Sequence, residues 1–220
     1  MINHSIDYGL ERYKKVEDKM VEKLNFKIFD LWDISNITIE EPGLKNVINL
    51  EPKLALQSHG RNVVKHGQTK VNVVERLMNK LALAGHRNKK HRIELGHSTG
   101  KYSKNMKTVI EALKIVEKRT KTNPVEVLVK TIEKAAPRDE VTVIEYGGAR
   151  YPQAVDISPI RRVNLVLKYL AHGASDKSFG KKKKFAQALA DEIILAYENN
   201  GESTLLKKKK ESEAQADAAR

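Results

Sequence analysis

Apolar residues recur three and four positions apart along the chain, which is the spacing of one face of an α-helix. The first clear stripe consists of Val71, Val74, Met78 and Leu81. This stripe predicts a helix from a cap at Thr69 to about Ala84, which Gly85 would end. Polar side chains are expected on the other faces of this helix, at Lys70, Asn72, Arg76 and Lys80.

Four later segments repeat the helical pattern. The second stripe consists of Met106, Val109, Ile110, Leu113 and Val116. Asn123-Pro124 predicts the cap and first turn of a third helix, and its stripe is Val125, Leu128, Val129 and Ile132. Ser158-Pro159 opens a fourth helix, which Gly173 would end, and its inward residues are Ile160, Val163, Leu167 and Leu170. A fifth helix is expected from Phe185 to about Asn199.

One segment between the third and fourth helices has the composition of a β-hairpin. Residues 141–146 are rich in β-branched and aromatic side chains, and residues 149–157 form a second strand pattern. Gly147-Gly148 between them supplies a two-residue turn. Pro152 cannot donate a ladder hydrogen bond, which places its strand at an edge. Because an isolated two-stranded ribbon is marginal in water, this hairpin is predicted to be an arm that lies on a partner.

The fold class predicted is mainly α: a helical bundle with one protruding β-hairpin arm and an irregular N-terminal extension. The extension covers residues 1–58, where turn-forming prolines and glycines interrupt weak patterns. A helical domain would cover 59–206, with the arm at 140–157. Residues 207–220 carry many charges and no apolar stripe, which predicts a solvated tail.

Positive charge is concentrated in two blocks of the sequence. The formal net charge is +13, and most of the excess lies in residues 59–107 and 161–220. Such a concentration favours a surface that binds a polyanion. The chain has no cysteine, which excludes a disulfide framework and is compatible with the cytosol. We expect no membrane span, because no apolar run approaches the roughly 20 residues needed. We also expect no signal peptide, because Met1-Ile2-Asn3-His4 is not a charged segment followed by an apolar stretch.

Enzymatic and metal sites find little support in the sequence. Gly100-Lys101 resembles the end of a phosphate-binding loop, but Tyr102 stands where Ser or Thr is required. The histidines of the 86–98 loop lack helical i, i+4 spacing and have no cysteine beside them. We therefore expect no catalysis, no cofactor and no metal.

Nucleic acid is the ligand that the charge pattern favours. The basic loop at 85–104, the arm and the Arg161-Arg162 helix start offer phosphate contacts. Tyr146, Arg150 and Tyr151 offer planar groups for unpaired RNA bases. A DNA-binding protein of the helix-turn-helix or nucleoid type is an alternative, and so is a set of merely solubilising charges.

Several of these segments resemble a known family, the universal small-subunit ribosomal protein seven in its archaeal and eukaryotic form. The similarity extends over roughly residues 25–206. The segments that carry it are VNVVERLMNKL (71–81), NPVEVLVKTIEKAAPRDEVTVIEYGGARYPQAVDISPIRRVNLVLKYLAHGAS (123–175), KKKKFAQALADEIILA (181–196) and the N-terminal DLWDISNITIEEPGLKNVINLEPKLALQSHGR (30–61). The chain departs from the family in the His86–Ser98 loop and after Leu206.

The resemblance implies a structural constituent of the small ribosomal subunit. Such a protein binds the 3′ major domain of small-subunit ribosomal RNA, nucleates head assembly, and lies near the exit-site tRNA and the messenger RNA exit path. Its other partners would be neighbouring head and platform proteins. The RNA-binding residues implied are Lys70, Arg76, Lys80, Lys101, Lys104, Arg150, Tyr151, Arg161, Arg162, Lys168, Lys181, Lys182, Lys183 and Lys184. The part of the arm implied to approach the exit site is Gly147, Gly148, Ala149 and Arg150.

Overall fold

A computed structural model describes residues 27–52, 65–84, 86–87, 90–91 and 101–220. Within these ranges the helices are α1 (Pro42–Lys45), α2 (Val73–Leu81), α3 (Tyr102–Thr120), α4 (Pro124–Ala135), α5 (Pro159–Ser178), α6 (Phe185–Tyr197) and α7 (Thr204–Ala218). A 3₁₀ turn, Gly67–Lys70, precedes α2. The strands are β1 (His86–Arg87), β2 (Lys90–His91), β3 (Asp139–Tyr146) and β4 (Ala149–Asp156). The predicted class, a mainly helical bundle with a β-hairpin, is confirmed.

Helix α6 lies at the centre of the bundle, where it packs against α3, α4 and α5. Its buried side chains cover most of the helix circumference and leave one strip in which Gln187 is exposed and Asp191 is half-buried. The buried residues are Ala186, Ala188, Leu189, Ala190, Glu192, Ile193, Ile194 and Ala196. A helix that is apolar over most of its surface is stable only when its neighbours cover it. The apolar stripes predicted for α2, α3, α4 and α5 face this common core.

The start of α2 differs from the prediction. Asn72 caps this helix, and its side chain accepts a hydrogen bond from the Val74 backbone N–H at 2.9 Å. Thr69 instead belongs to the preceding 3₁₀ turn, where its hydroxyl donates to the His66 carbonyl. The predicted cap of α4 is confirmed, since the Asn123 side chain accepts from the Val125 N–H at 3.1 Å.

Residues 27–52 of the predicted extension are irregular apart from the single turn of α1, yet they pack onto the bundle. Ile28, Trp32 and Leu44 are buried in the common core. The Trp32 Nε1–H donates to Glu117 on α3 at 3.0 Å. The remaining residues of the extension lie outside the described residues.

Helix α5 continues through the glycine that was predicted to end it. Gly173 is buried inside the helix, where a β-carbon would lie 2.8 Å from Oε1 of Glu192 and 3.1 Å from Cβ of Thr204. The absence of a side chain at this position therefore serves close packing rather than a helix stop. Glu192 is fully buried, and its carboxylate accepts from Ser203 Oγ at 3.2 Å and lies 3.1 Å from Lys177 Nζ.

The prediction of a solvated C-terminal tail was wrong. Residues 204–218 form α7, which packs against β3 and α5. Leu205 and Ala216 are buried, and the Glu192 carboxylate accepts hydrogen bonds from the Thr204 N–H at 3.3 Å. Two buried side chains eleven residues apart leave no recognisable helical stripe in the sequence.

The hairpin has the predicted turn and an exposed outer half. Gly147 and Gly148 have φ angles of 57° and 80°, as a type I′ turn requires at both central positions. The pairing places Ile144 opposite Tyr151 and Val143 opposite Pro152. From Thr142 to Arg150 every residue is exposed, so this part of the arm buries little against its own chain.

The basic loop predicted at 85–104 contains a short antiparallel pair, β1 with β2. It ends earlier than predicted, because Lys101 is the N-cap of α3 and Lys104 lies in its first turn. His97 and the other residues of 92–100 lie outside the described residues. In the described part of the chain, no helix is both long and apolar enough to cross a membrane.

We predict that Gly173→Ala lowers the free energy of unfolding by about 1–3 kcal/mol, because the added methyl group overpacks a buried and fully hydrogen-bonded carboxylate. This sign opposes the gain that alanine normally brings to a helix. Urea denaturation measures the change. Gly201→Ala is the control, since a β-carbon there meets no atom within 4 Å; equal effects of the two substitutions would contradict the prediction.

Candidate RNA-binding surface

A basic cleft lies between α2 and α5. Its cavity of about 170 Å³ is lined by Gln68, Val71, Arg76, Asn79, Lys80, Leu83 and Asn164, and we call it the α2–α5 cleft. Lys168 on α5 lies close enough for its charge to act on Lys80. Hence two helices that are far apart in sequence bring three of the predicted cations together.

The α2–α5 cleft has positive charge and no carboxylate among its lining residues. Burial lowers the pKa of Lys80, and the charges of Arg76 and Lys168 lower it further. Burial also lowers the pKa of Arg76 to about 10. Like charges that repel one another in a partly desolvated site are stabilised when an anion binds between them.

The prediction that Arg76 lies on an outer face of α2 was wrong. Only 5% of its surface is exposed. Its Nη1–H donates to the Val47 carbonyl at 2.9 Å and its Nη2–H donates to Asn164 Oδ1 at 3.2 Å. Arg76 therefore joins the extension to α2 and α5, and it contributes its charge to the cleft from below the surface.

Arg162 is also buried, with 8% of its surface exposed, contrary to the prediction that the start of this helix offers it to phosphate. Its Nη1 lies 2.5 Å from Oε1 of Glu41, and its Nε–H donates to the Pro137 carbonyl at 2.9 Å. No pattern in the sequence indicates that Glu41 and Arg162 form an ion pair. This arginine holds the extension and the start of the arm against α5.

The neighbouring Arg161 is exposed and contacts the arm. Its Nε and Nη2 lie 2.6 Å and 2.8 Å from the two carboxylate oxygens of Glu140 on β3. Hydrogen bonding to Glu140 raises the pKa of the Arg161 guanidinium. The charge of Arg161 is thus partly neutralised by its own chain.

The arm presents different side chains on its two faces. Residues directly opposite each other in an antiparallel pair share a face, so Ile144, Tyr146 and Tyr151 lie on one face and Val143 and Pro152 on the other. Tyr146 is 81% exposed and Tyr151 is 58% exposed. Arg150 lies beside the turn, 3.6 Å from Glu145.

The lysine run before α6 is mostly exposed. Lys181, Lys182 and Lys184 lie on the surface, and Lys184 is the N-cap of α6. Lys183 instead forms an ion pair with Asp191, which also pairs with Arg119. Burial alone would raise the pKa of Asp191, but hydrogen bonds from Lys183 and Arg119 bring it below its usual value.

The other predicted cations, Lys70, Lys101 and Lys104, are exposed at the starts of α2 and α3.

Sequence reasoning missed the neutral polar residues of the cleft. Asn164 donates to Gln68 Oε1 at 3.0 Å and accepts from Arg76. The only sequence signal for Asn164 is its position one helical turn before Lys168.

Comparison with known proteins assigns the family. The model of the family described as "Ribosomal protein S7p/S5e" matches residues 54–220. The chain belongs to this ribosomal protein family. A protein of *Nanoarchaeum equitans* named small ribosomal subunit protein uS7 is 47% identical over 199 residues, which cover 90% of this chain and all of that protein. The proteins of the same name from *Methanosphaera stadtmanae* and *Methanococcus vannielii* are 43% and 41% identical, over 89% and 92% of this chain and their full lengths.

Membership agrees with the family suggested by the sequence motifs, and members of the family are structural, non-enzymatic components of the ribosome. The similarity reaches residue 220 and therefore includes α7. It extends beyond Leu206, where the motif resemblance ended.

We predict that Arg162→Met lowers the free energy of unfolding by about 2 kcal/mol, because it leaves Glu41 and the Pro137 carbonyl without their buried charged donor. Chemical denaturation measures the loss. Arg161→Met is the matched control on the next residue. Its ion pair with Glu140 is more exposed and should contribute about 0–1 kcal/mol; a larger loss at Arg161 than at Arg162 would contradict the assignment.

Proposed function

We propose that this chain is a structural constituent of the small ribosomal subunit that binds the 3′ major domain of the subunit's ribosomal RNA. The observation that supports RNA binding is the exposed outer half of the arm. Its tyrosines are exposed on one face, while the base of the arm is fixed to the bundle. Exposed aromatic rings suit unpaired RNA bases, which stack on such groups, and Arg150 offers a guanidinium plane on the opposite face of the arm. Family membership and the names of the relatives support the ribosomal role.

The α2–α5 cleft supplies the electrostatic part of this proposal. Phosphates that enter it would meet Lys80 and Lys168, while Arg76 adds charge from below. Neutral donors from Asn79 and Gln68 line the same cavity. Phosphate contacts of this kind fix the position of a protein on RNA without reading its sequence, so specificity would come from the shape of the RNA and from the arm.

The finer placement within the ribosome rests on the family resemblance. We propose that the chain nucleates assembly of the head, and that the tip formed by Gly147, Gly148, Ala149 and Arg150 lies near the exit-site tRNA and the messenger RNA exit path. Neighbouring head and platform proteins would be its other partners. The chain would thus reside in the cytoplasm, within the ribosome.

The exposed arm argues against the alternative of a DNA-binding protein. A helix-turn-helix protein inserts a recognition helix with side chains that reach base edges in the major groove. Here the exposed residues that suit base contacts lie on a β-ribbon instead. No residue of the proposed surface has a role in covalent chemistry.

A filter-binding titration tests the proposal directly. The ligands are the 3′ major-domain RNA fragment, a scrambled RNA of the same length and duplex DNA, each at several salt concentrations. We expect a preference for the native fragment that persists as salt rises, because shape recognition does not depend on counterion release. Equal affinities that fall together with salt would overturn the specific role.

We predict that Lys80→Gln with Lys168→Gln reduces the slope of log K against log salt by about 2, one for each lost phosphate contact. The control is Lys114→Gln with Lys118→Gln, which removes the same charge from exposed positions on α3 outside the predicted surface. Equal slopes for the two double variants would remove the cleft from the RNA-binding surface.

We predict that Tyr146→Ala and Tyr151→Ala each weaken binding of the native fragment by about 1–3 kcal/mol, the contribution of one aromatic ring stacked on a base. Thermal unfolding should be unchanged, since both rings are exposed. Val143→Ala on the opposite face of the arm is the control. An unchanged dissociation constant for both tyrosine variants would exclude stacking on this face.

A further inference from the structure

Helix α7 and the residues that follow it meet the base of the arm, where three polar contacts join them. The Ser212 hydroxyl donates to the Asp139 carbonyl at 3.0 Å, and the Arg138 N–H donates to Glu213 Oε1 at 3.2 Å. Arg220 Nη2 lies 2.7 Å from Oδ2 of Asp139. These contacts span the last nine residues of the chain and converge on two residues where the arm begins.

The arm base is held from both sides of its first strand. Consecutive residues of a strand point to opposite faces, so the side chains of Asp139 and Glu140 diverge. Asp139 pairs with Arg220, two residues beyond the end of α7, and Glu140 pairs with Arg161 of α5. The Ile157 N–H donates to the Arg138 carbonyl at 2.8 Å and closes the base between the strands.

The other end of α7 is fixed to the centre of the bundle. The buried Glu192 carboxylate accepts from the Thr204 N–H and hydroxyl at the first turn of α7. Leu205 at the start of the helix and Ala216 near its end are buried. The helix is therefore anchored at its first turn and contacts the arm through its last two turns.

We propose that α7 is a brace that sets the direction of the arm, and that Ser212, Glu213 and Arg220 are its positioning residues. A two-stranded ribbon with an exposed outer half has few contacts of its own to define its angle to the bundle. A small rotation at residues 138–140 displaces the tip by a much larger distance. The brace limits this rotation whether or not RNA is bound, so its test is independent of the proposed function.

Spin-label distance measurements on the full chain test the brace. The sequence has no cysteine, so Glu145→Cys near the arm tip and Lys114→Cys on α3 give two unique labelling sites. The unclamped variant carries Ser212→Ala, Glu213→Gln and Arg220→Gln. The control carries Lys208→Gln and Glu211→Gln, which removes an ion pair of the same helix. Both variants leave the net charge unchanged.

We expect the tip-to-α3 distance distribution to broaden in the unclamped variant and to stay at its parental width in the control. Arg220→Lys, which keeps the ion pair with Asp139, should also retain the parental width. An unchanged distribution in the unclamped variant, with helical content intact by circular dichroism, would overturn the proposal. If the triple variant loses helical content, the single variant Arg220→Gln is measured instead. A distance distribution of parental width in that variant would also overturn the proposal.

Discussion

The structure depends on the burial of α6. Apolar side chains cover most of this helix, and α3, α4 and α5 all pack against it. The same helix carries the Glu192 carboxylate, which is fully buried and accepts hydrogen bonds from α7. A buried carboxylate without such partners would be strongly destabilising. One helix thus organises both the apolar core and the attachment of the C-terminal helix.

The predicted RNA-binding cations include two kinds that the sequence does not distinguish. Arg76 and Arg162 are buried, and they connect the irregular segment 27–52 to the bundle through backbone carbonyls and Glu41. Lys80 and Lys168 belong to the α2–α5 cleft, and Lys181, Lys182 and Lys184 lie on the surface, where they can meet phosphate. The guanidinium group suits the first role because it has several donors in a fixed geometry.

The base of the arm is held against the bundle, whereas the tip of the arm is exposed. Arg161 and Arg220 hold opposite faces of β3, and Gly147-Gly148 closes the turn far from the bundle. Outside the base, the exposed tyrosines and Arg150 have little contact with their own chain. A fixed base and an exposed tip suit a segment that must reach a partner in a defined direction. Helix α7 contributes to this arrangement because it helps to hold the base.

The sequence by itself determined helices α2 to α6, the hairpin and its turn, because hydrophobic periodicity, the Asn123 cap and the Gly147-Gly148 turn act locally. It also determined the excess of positive charge, and its motifs indicated the family. Only the tertiary structure decided which arginines are buried, why Gly173 lies inside α5, and that residues 204–218 form a docked helix. These outcomes depend on partners such as Glu41, Glu192 and Asp139, which lie far away in sequence and leave no periodic signal around the residues they bind.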